Sequence, residues 1–334
     1  MEPESFNTNN PDFTKRPVFW QVVVLMVLLI IIFSSAIINE LSDYTSVAKP
    51  PTQSAEPNNN AAAAVTSQQE SREIDLGELP LQAKAVYVVD LQTGVTLYEK
   101  NAEQPLPLAS VTKLMTALVT HEILSENDTV FIDLAAVLQD GDSGLTGGET
   151  FDVSTLNDLV LMTSSNDGAY AMAETAGGVL GDGAGSFVAA MNIRAEQLAL
   201  ESLEFKNPTG LDLENETVPG AMGTAKDVAG LMAFIATNYP EILESTTELS
   251  SRFYNDTGAY HDARNTNGTV TEIDGLISSK TGYTDLAGGN LAIAYDAGLN
   301  HPIVIVVLGS SRTGRFTDVL TLVDAINESL TDIE

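Results

Sequence analysis

Ser110 and Lys113 stand three residues apart in Ser110-Val111-Thr112-Lys113. On a helix, residues three apart share a face, so the lysine amine can reach the serine hydroxyl. A neutral amine there can take the hydroxyl's proton and turn the serine into a nucleophile. That lysine must be neutral near pH 7, and burial or a second cation nearby would lower its pKa. A serine in a first helical turn also meets the positive end of the helix dipole, which favours developing negative charge. The spacing alone is cheap. Ser46-Val47-Ala48-Lys49 repeats it in a stretch without secondary-structure pattern, followed by Pro50.

Two later motifs carry complementary chemistry. Ser164-Ser165-Asn166 follows the apolar stretch 156–162 and offers a hydroxyl and an amide from a turn between helices. Serine and asparagine also favour plain helix N-caps, and Ser125-Glu126-Asn127 shows how readily the pattern arises. Lys280-Thr281-Gly282 ends an expected strand and occurs once. It presents a cation and a hydroxyl, then a glycine that lets another backbone approach closely. A strand edge of this kind can pair with an extended peptide and hold its carboxylate.

Other chemistries fit poorly. There is no cysteine, which excludes disulfides, thiolate zinc sites and a cysteine nucleophile. The histidines are His121, His261 and His301. His121 lies about three turns beyond Ser110 on one helix, too far to act as its base. No Gly-x-Ser-x-Gly elbow is present, and the histidines are not at metal-ligand spacing. No metal or cofactor is expected. The chain of 334 residues has 46 acidic and 15 basic residues, a net charge of −31. Nucleic acid is therefore not an expected partner. From residue 75 onward there are 11 basic residues, and Lys113, Lys280 and Arg315 are three of them. Concentrating cations in this way suits a pocket for an anionic peptide end.

Ser-x-x-Lys, then Ser-x-Asn, then Lys-Thr-Gly on a late strand is the signature order of penicillin-binding proteins and serine β-lactamases. The stretches GVTLYEKNAEQPLPLASVTKLMTALVT, NPTGLD, GTAKDVAGLM and SSKTGYTDLAGGNLAIAY narrow this. Over about residues 75–330 the chain resembles the D-alanyl-D-alanine carboxypeptidases of the low-molecular-mass penicillin-binding proteins. The resemblance implies that Ser110 attacks the carbonyl between two terminal D-alanines of a peptidoglycan stem peptide, with Lys113 as base. It implies an oxyanion hole from the backbone N–H groups of Ser110 and Tyr283. Ser164, tuned by Lys280, would pass a proton to the leaving D-alanine, and Asn166 would hold the substrate amide. Thr281 and a late arginine, Arg315 ahead of Arg312, would bind the terminal carboxylate. β-Lactam antibiotics would acylate the same serine. Ser165 stands where the family commonly has glycine. No Glu-x-x-Leu-Asn stretch supplies a deacylating carboxylate, which weakens a β-lactamase reading. A D,D-endopeptidase acting on cross-links and a silent peptidoglycan-binding protein are the rivals. The silent reading predicts a lost motif residue, and all three motifs are intact.

These groups need a scaffold. Residues 85–90 and 95–99 read as a hairpin about the turn 91–94. Residues 110–124 read as a helix, with Leu114, Met115 and Leu118 on one side. Helical patterns recur over 156–200, broken by glycines at 177–178 and 181–185, and again over 227–239. Residues 273–281, 290–295 and 303–309 read as strands, and 316–330 as an amphipathic helix. The expected fold class is α+β and β-lactamase/transpeptidase-like. Its antiparallel sheet is built from both ends of the domain, with flanking helices and an inserted helical lobe.

Ahead of the domain, residues 1–16 read as a cytoplasmic tail ending in Lys15-Arg16. Residues 17–39 carry an apolar run long enough to span a bilayer, with Phe19 and Trp20 at an interface position. Its length and polar lead favour a single-pass anchor over a cleaved export signal. Residues 40–74, with Pro50-Pro51 and Asn58-Asn59-Asn60, read as a flexible linker. The catalytic domain, 75–334, is then expected outside the membrane. The anchor would stand in for the C-terminal membrane attachment of the family's larger members.

Overall fold

The structure is a computed structural model and describes residues 76–141, 143–298 and 300–331. The expected tail, anchor and linker all lie outside the described residues. Among the described residues no helix is long and apolar enough to cross a membrane.

The domain opens with strands β1 (Ala85–Asp90) and β2 (Thr96–Lys100), paired antiparallel as a hairpin. A short strand β3 (Leu106–Pro107) leads into a 3-10 turn, Ala109–Thr112, and helix α1 (Lys113–Ile123). The helical lobe follows. It contains β4 (Thr129–Phe131), α2 (Leu134–Val137), β5 (Thr150–Asp152), α3 (Val153–Thr163), α4 (Asn166–Leu180) and α5 (Gly183–Gln197). Next come β6 (Glu204–Phe205), β7 (Ala221–Gly223) and α6 (Ala225–Asn238), then a 3-10 segment, Pro240–Thr247. The hairpin β8 (Ser250–Tyr254) and β9 (Tyr260–Arg264) precedes three nine-residue strands. These are β10 (Leu276–Thr284), β11 (Gly288–Asp296) and β12 (Pro302–Ser310), and α7 (Gly314–Thr331) closes the domain.

The main sheet has the order β10-β11-β12-β1-β2, and all its pairings are antiparallel. It is built from both ends of the domain, as expected. β1 pairs with β12 through Val88 opposite Ile305, so the first and last strands meet at its centre. β10 is an edge strand. Side-chain alternation divides the sheet's two faces. Val86, Val88, Leu291, Ile293, Ile303, Ile305 and Val307 pack under α7 with Val319, Leu322, Val323 and Ile326. Ala85, Ala292, Ala294, Val304, Val306 and Leu308 face the helical lobe instead.

Capping explains several helix starts. Asp152 accepts from the Thr155 amide, Ser165 from Gly168, and Thr224 from Asp227. Two expectations need correction. The stretch 109–112 is 3-10 rather than α-helical, because Ala109 sits at φ 48 and the chain turns sharply before α1 begins. Gly177-Gly178 does not break a helix but lies inside α4. A Cβ at Gly177 would come within 1.8 Å of the Gly183 carbonyl oxygen, so this glycine lets the start of α5 pack onto α4. The break falls at 181–182.

Candidate active site

The 3-10 turn places Ser110 one turn ahead of Lys113, the first residue of α1. Lys113 is fully buried. Its Nζ lies 3.1 Å from Ser110 Oγ, 2.7 Å from Asn166 Oδ1 and 2.8 Å from the Thr209 carbonyl oxygen. Two of these neighbours are carbonyl oxygens, which can only accept. The Asn166 amide is oriented by its other end, since Nδ2 donates to the Asp140 carbonyl at 2.6 Å. A neutral amine has two N–H groups and one lone pair. In the neutral form Asn166 and Thr209 would claim both N–H groups and leave the lone pair for Ser110.

Burial, and then the charge of Lys280, hold Lys113 well below the ordinary lysine value, while Asp167 pulls the other way. Lys280, also buried, is pushed down to about 7 by burial and then by Arg315. Arg315 is in turn lowered to about 10 by burial and by Arg312, and so stays charged at neutral pH. The basic groups thus form a sequence in which each disfavours the proton on the next.

The second motif straddles a helix junction. Ser164 ends α3 in the left-handed region, φ 62 and ψ 32, and its Oγ accepts from Lys280 Nζ at 3.0 Å. A non-glycine residue held there costs of order 1 kcal/mol or more and persists only where its surroundings fix it. Ser165 caps α4, and Asn166 begins it. The junction therefore sends Ser164 toward one lysine and Asn166 toward the other.

The third motif lies on edge strand β10. A Cβ on Gly282 would stand 2.7 Å from the Leu108 carbonyl oxygen and 3.1 Å from the Ser110 amide nitrogen. The strand therefore passes directly against the nucleophile turn, and only glycine permits it. Thr281 Oγ1 lies 2.6 Å from Thr266 Oγ1. Tyr283 is half-buried, with its hydroxyl on Asp285, and the Arg312 guanidinium covers its ring at 4.3 Å. Arg315 Nη1 donates to the Gly282 carbonyl at 2.7 Å. The residues read from the sequence as Ser110, Lys113, Ser164, Asn166, Lys280, Thr281, Gly282, Tyr283 and Arg315 are thus brought together around the nucleophile turn and the end of β10.

Several supporting residues were not assigned from the sequence. Asn207 Oδ1 accepts from the amides of Thr209 and Gly210 and so aims the Thr209 carbonyl at Lys113. Gly210, at φ +79, has the Ala109 carbonyl oxygen where a Cβ would sit. Asn290 Nδ2 donates to the carbonyls of Pro107 and Leu108, holding the approach to Ser110 against β11. The Asn-Pro-Thr-Gly string was the available signal, since it is a turn sequence. Among the described residues no cluster of three or more metal-binding side chains occurs.

The antiparallel sheet, the helical lobe and the three motifs at their junction define the penicillin-binding-protein class. Within it, the chain belongs to the D-alanyl-D-alanine carboxypeptidase family, whose sequence profile matches residues 68–312. It is 31% identical over 253 residues to a D-alanyl-D-alanine carboxypeptidase (DacF) of Bacillus subtilis strain 168, covering 74% of this chain and 62% of that relative. It is 30% identical over 248 residues to a D-alanyl-D-alanine endopeptidase of Pseudomonas aeruginosa PAO1, covering 72% of this chain and 76% of the relative. Among solved structures it is similar to penicillin-binding protein D2 of Listeria monocytogenes in its ampicillin-bound form. The TM-score is 0.61 at 30% identity, covering 75% of this chain and 99% of that one.

Proposed function

We propose that this chain is a serine D-alanyl-D-alanine carboxypeptidase that removes the terminal D-alanine of peptidoglycan stem peptides. The observation that carries the reading is the environment of Lys113 Nζ: two carbonyl acceptors at 2.7 and 2.8 Å and the Ser110 hydroxyl at 3.1 Å. The Ser110 proton passes to the Lys113 lone pair as the Oγ–carbon bond forms at the penultimate D-alanine carbonyl. The oxyanion is held by the N–H groups of Ser110 and Tyr283. The C–N bond then breaks. The leaving amine takes its proton from Lys113 through Ser164, whose hydroxyl is kept in place by Lys280. Water hydrolyses the ester and restores Ser110. Thr281, Lys280 and Arg315 form the cationic end that receives the terminal carboxylate, and the edge of β10 beyond Ser279, whose own amide is taken by Thr246, receives the peptide backbone. β-Lactams enter the same reaction and stop at the acyl-enzyme.

The test is covalent labelling by a fluorescent β-lactam, together with D-alanine release from a pentapeptide. Wild type should label and Ser110→Ala should not; unlabelled wild type, or undiminished label on Ser110→Ala, overturns the reading. The similarity to a relative named as an endopeptidase supports one alternative, cleavage of cross-links on the same machinery. Cutting of a cross-linked dimer without D-alanine release from the pentapeptide would select it.

The expected location is the outer face of the cell membrane, with residues 17–39 as a single-pass anchor. The 17–39 run, flanked by Lys15-Arg16, supports this. Retention in the membrane fraction after alkaline washing, with an intact N-terminus by mass spectrometry, is the expected result.

A further inference from the structure

Asn166 and Asp167 open α4, and the loop after α2 is tied to both. The Asp140 carbonyl accepts from Asn166 Nδ2 at 2.6 Å. Gly141, at φ +89, lies so close that a Cβ would stand 3.2 Å from the same nitrogen. Ser143 Oγ donates to Asp167 Oδ2 at 2.7 Å and lies 2.8 Å from Ser165 Oγ, which itself accepts from the Gly168 amide. Ser143 therefore joins the cap of α4 to an acid in its first turn. Asp167 is only 2% exposed, an unusual burial for a carboxylate. Two charged side chains act on Lys113 from the elements packed round it. Lys280 on β10 opposes its proton, and Asp167 on α4 favours it. Arg315 acts on Lys280.

We propose that Asp167, held by Ser143, is a positioning residue for acylation: it fixes the start of α4, and thereby sets Asn166 and its own carboxylate in place beside Lys113. This rests on the reading of Lys113 as the base. The serine in the middle of Ser164-Ser165-Asn166 acquires a use, because its hydroxyl is the link through which the loop reaches the helix cap.

The sign follows from charge. A buried anion favours protonated Lys113 and so raises the pH at which the amine becomes available. Removing it lowers that pH. The experiment measures the acylation rate constant with a fluorescent penicillin from about pH 5 to about pH 9. In Asp167→Asn the acid limb should move down by about one unit, so that below the wild-type midpoint the variant labels faster than wild type. Asp167→Glu, which keeps the charge, should restore the limb. Ser143→Ala should move it in the same direction by less, as the carboxylate loses its tether. A limb unmoved in folded Asp167→Asn, or a rate reduced equally at every pH, overturns the proposal. If Asp167→Asn does not fold, Ser143→Ala decides on the same criterion. Unlabelled wild type would instead defeat the underlying reading, so the two failures are distinguishable.

Discussion

The sheet has two unlike sides. Under α7, side chains such as Val88, Ile293, Ile305 and Leu322 are fully buried and wholly apolar. Across the lobe side and around the end of β10, the same domain buries Lys113, Lys280 and Arg315. There it also holds Ala109 and Ser164 in the left-handed region and leaves Arg315 Nε without a hydrogen-bond partner. Burying a cation costs free energy unless it is well paired, and positive φ on a side-chain-bearing residue costs more. The apolar core beneath Val319, Leu322, Val323 and Ile326 has none of these features; the buried charged groups of α7 are confined to its first turns, where Arg315 turns to β10 and the buried Asp318 is paired with the Gln82 and Ala83 amides and the Ser310 hydroxyl. The contrast teaches that the α7 side supplies stability and the β10 side consumes it in holding amines that give up protons easily.

Substitutions on the two sides should therefore fail differently. Ile305→Ala empties space between Val88 and Ile293, its neighbours in register on β1 and β11. Unfolding free energy should drop by about 2–5 kcal/mol, measured by urea titration. The acylation rate of the folded fraction should stay at the wild-type value; a rate falling further than the folded fraction would break the division. Gly282→Ala should do the reverse. Its methyl group meets the Leu108 carbonyl oxygen and the Ser110 amide, so the nucleophile turn must move away from β10. A displacement near 1 Å at a reacting group costs about a hundredfold. Labelling should slow by that order while the melting temperature changes by only a few degrees.

The legible part of the molecule follows the same division. Val- and Ile-rich runs made β1 and β12 readable, and the apolar run Leu291-Ala292-Ile293-Ala294-Tyr295 made β11 so, because fully buried strands need apolar residues on both faces. β10 was displaced by three residues at each end, since Ser278-Ser279-Lys280-Thr281 carries no apolar pattern. The short strands of the lobe were not read, because two or three residues set no period. Side chains with reactive groups could be picked from their types and order. Thr209 could not, because it acts through its backbone carbonyl, which every residue has. Gly177 was misread for a related reason: its sequence neighbourhood resembles a break, and only packing against Gly183 shows why a glycine sits inside a helix.

A smaller effect tests whether Lys280 is held at a cost to stability. Its value of about 7 lies well below the ordinary lysine value of about 10.4. Below about pH 7 both folded and unfolded chains keep its proton, and the penalty for burying the charge is complete. Between about pH 7 and about pH 10 the unfolded chain binds more protons than the folded one, so stability from this group rises with pH. Lys280→Met removes the penalty. The variant should be more stable than wild type on the order of 1–2 kcal/mol near pH 6, with the advantage shrinking toward pH 10. Denaturant titrations at the two pH values check this, and an advantage that does not shrink with pH would show that Met gains by packing alone.

The smallest effect separates the two arginines. Arg315 is buried and spends Nη1 on the Gly282 carbonyl, so it supports the strand that carries the third motif. Arg312 is exposed and meets β10 through the Tyr283 ring at 4.3 Å. An exposed contact of this kind contributes about 0.5–1 kcal/mol. Arg312→Ala should therefore slow acylation by a few-fold at most and leave the melting temperature almost unchanged. It should also ease the pressure on Arg315, which Arg312 now helps to lower. Arg315→Ala removes a strand contact and a cation beside Lys280 together. D-Alanine release by Arg315→Ala should fall far more than by Arg312→Ala, mainly through a raised KM for the anionic peptide. Equal losses in the two variants would move the carboxylate site outward to Arg312 and place the cationic end of the cleft on the surface rather than in its wall.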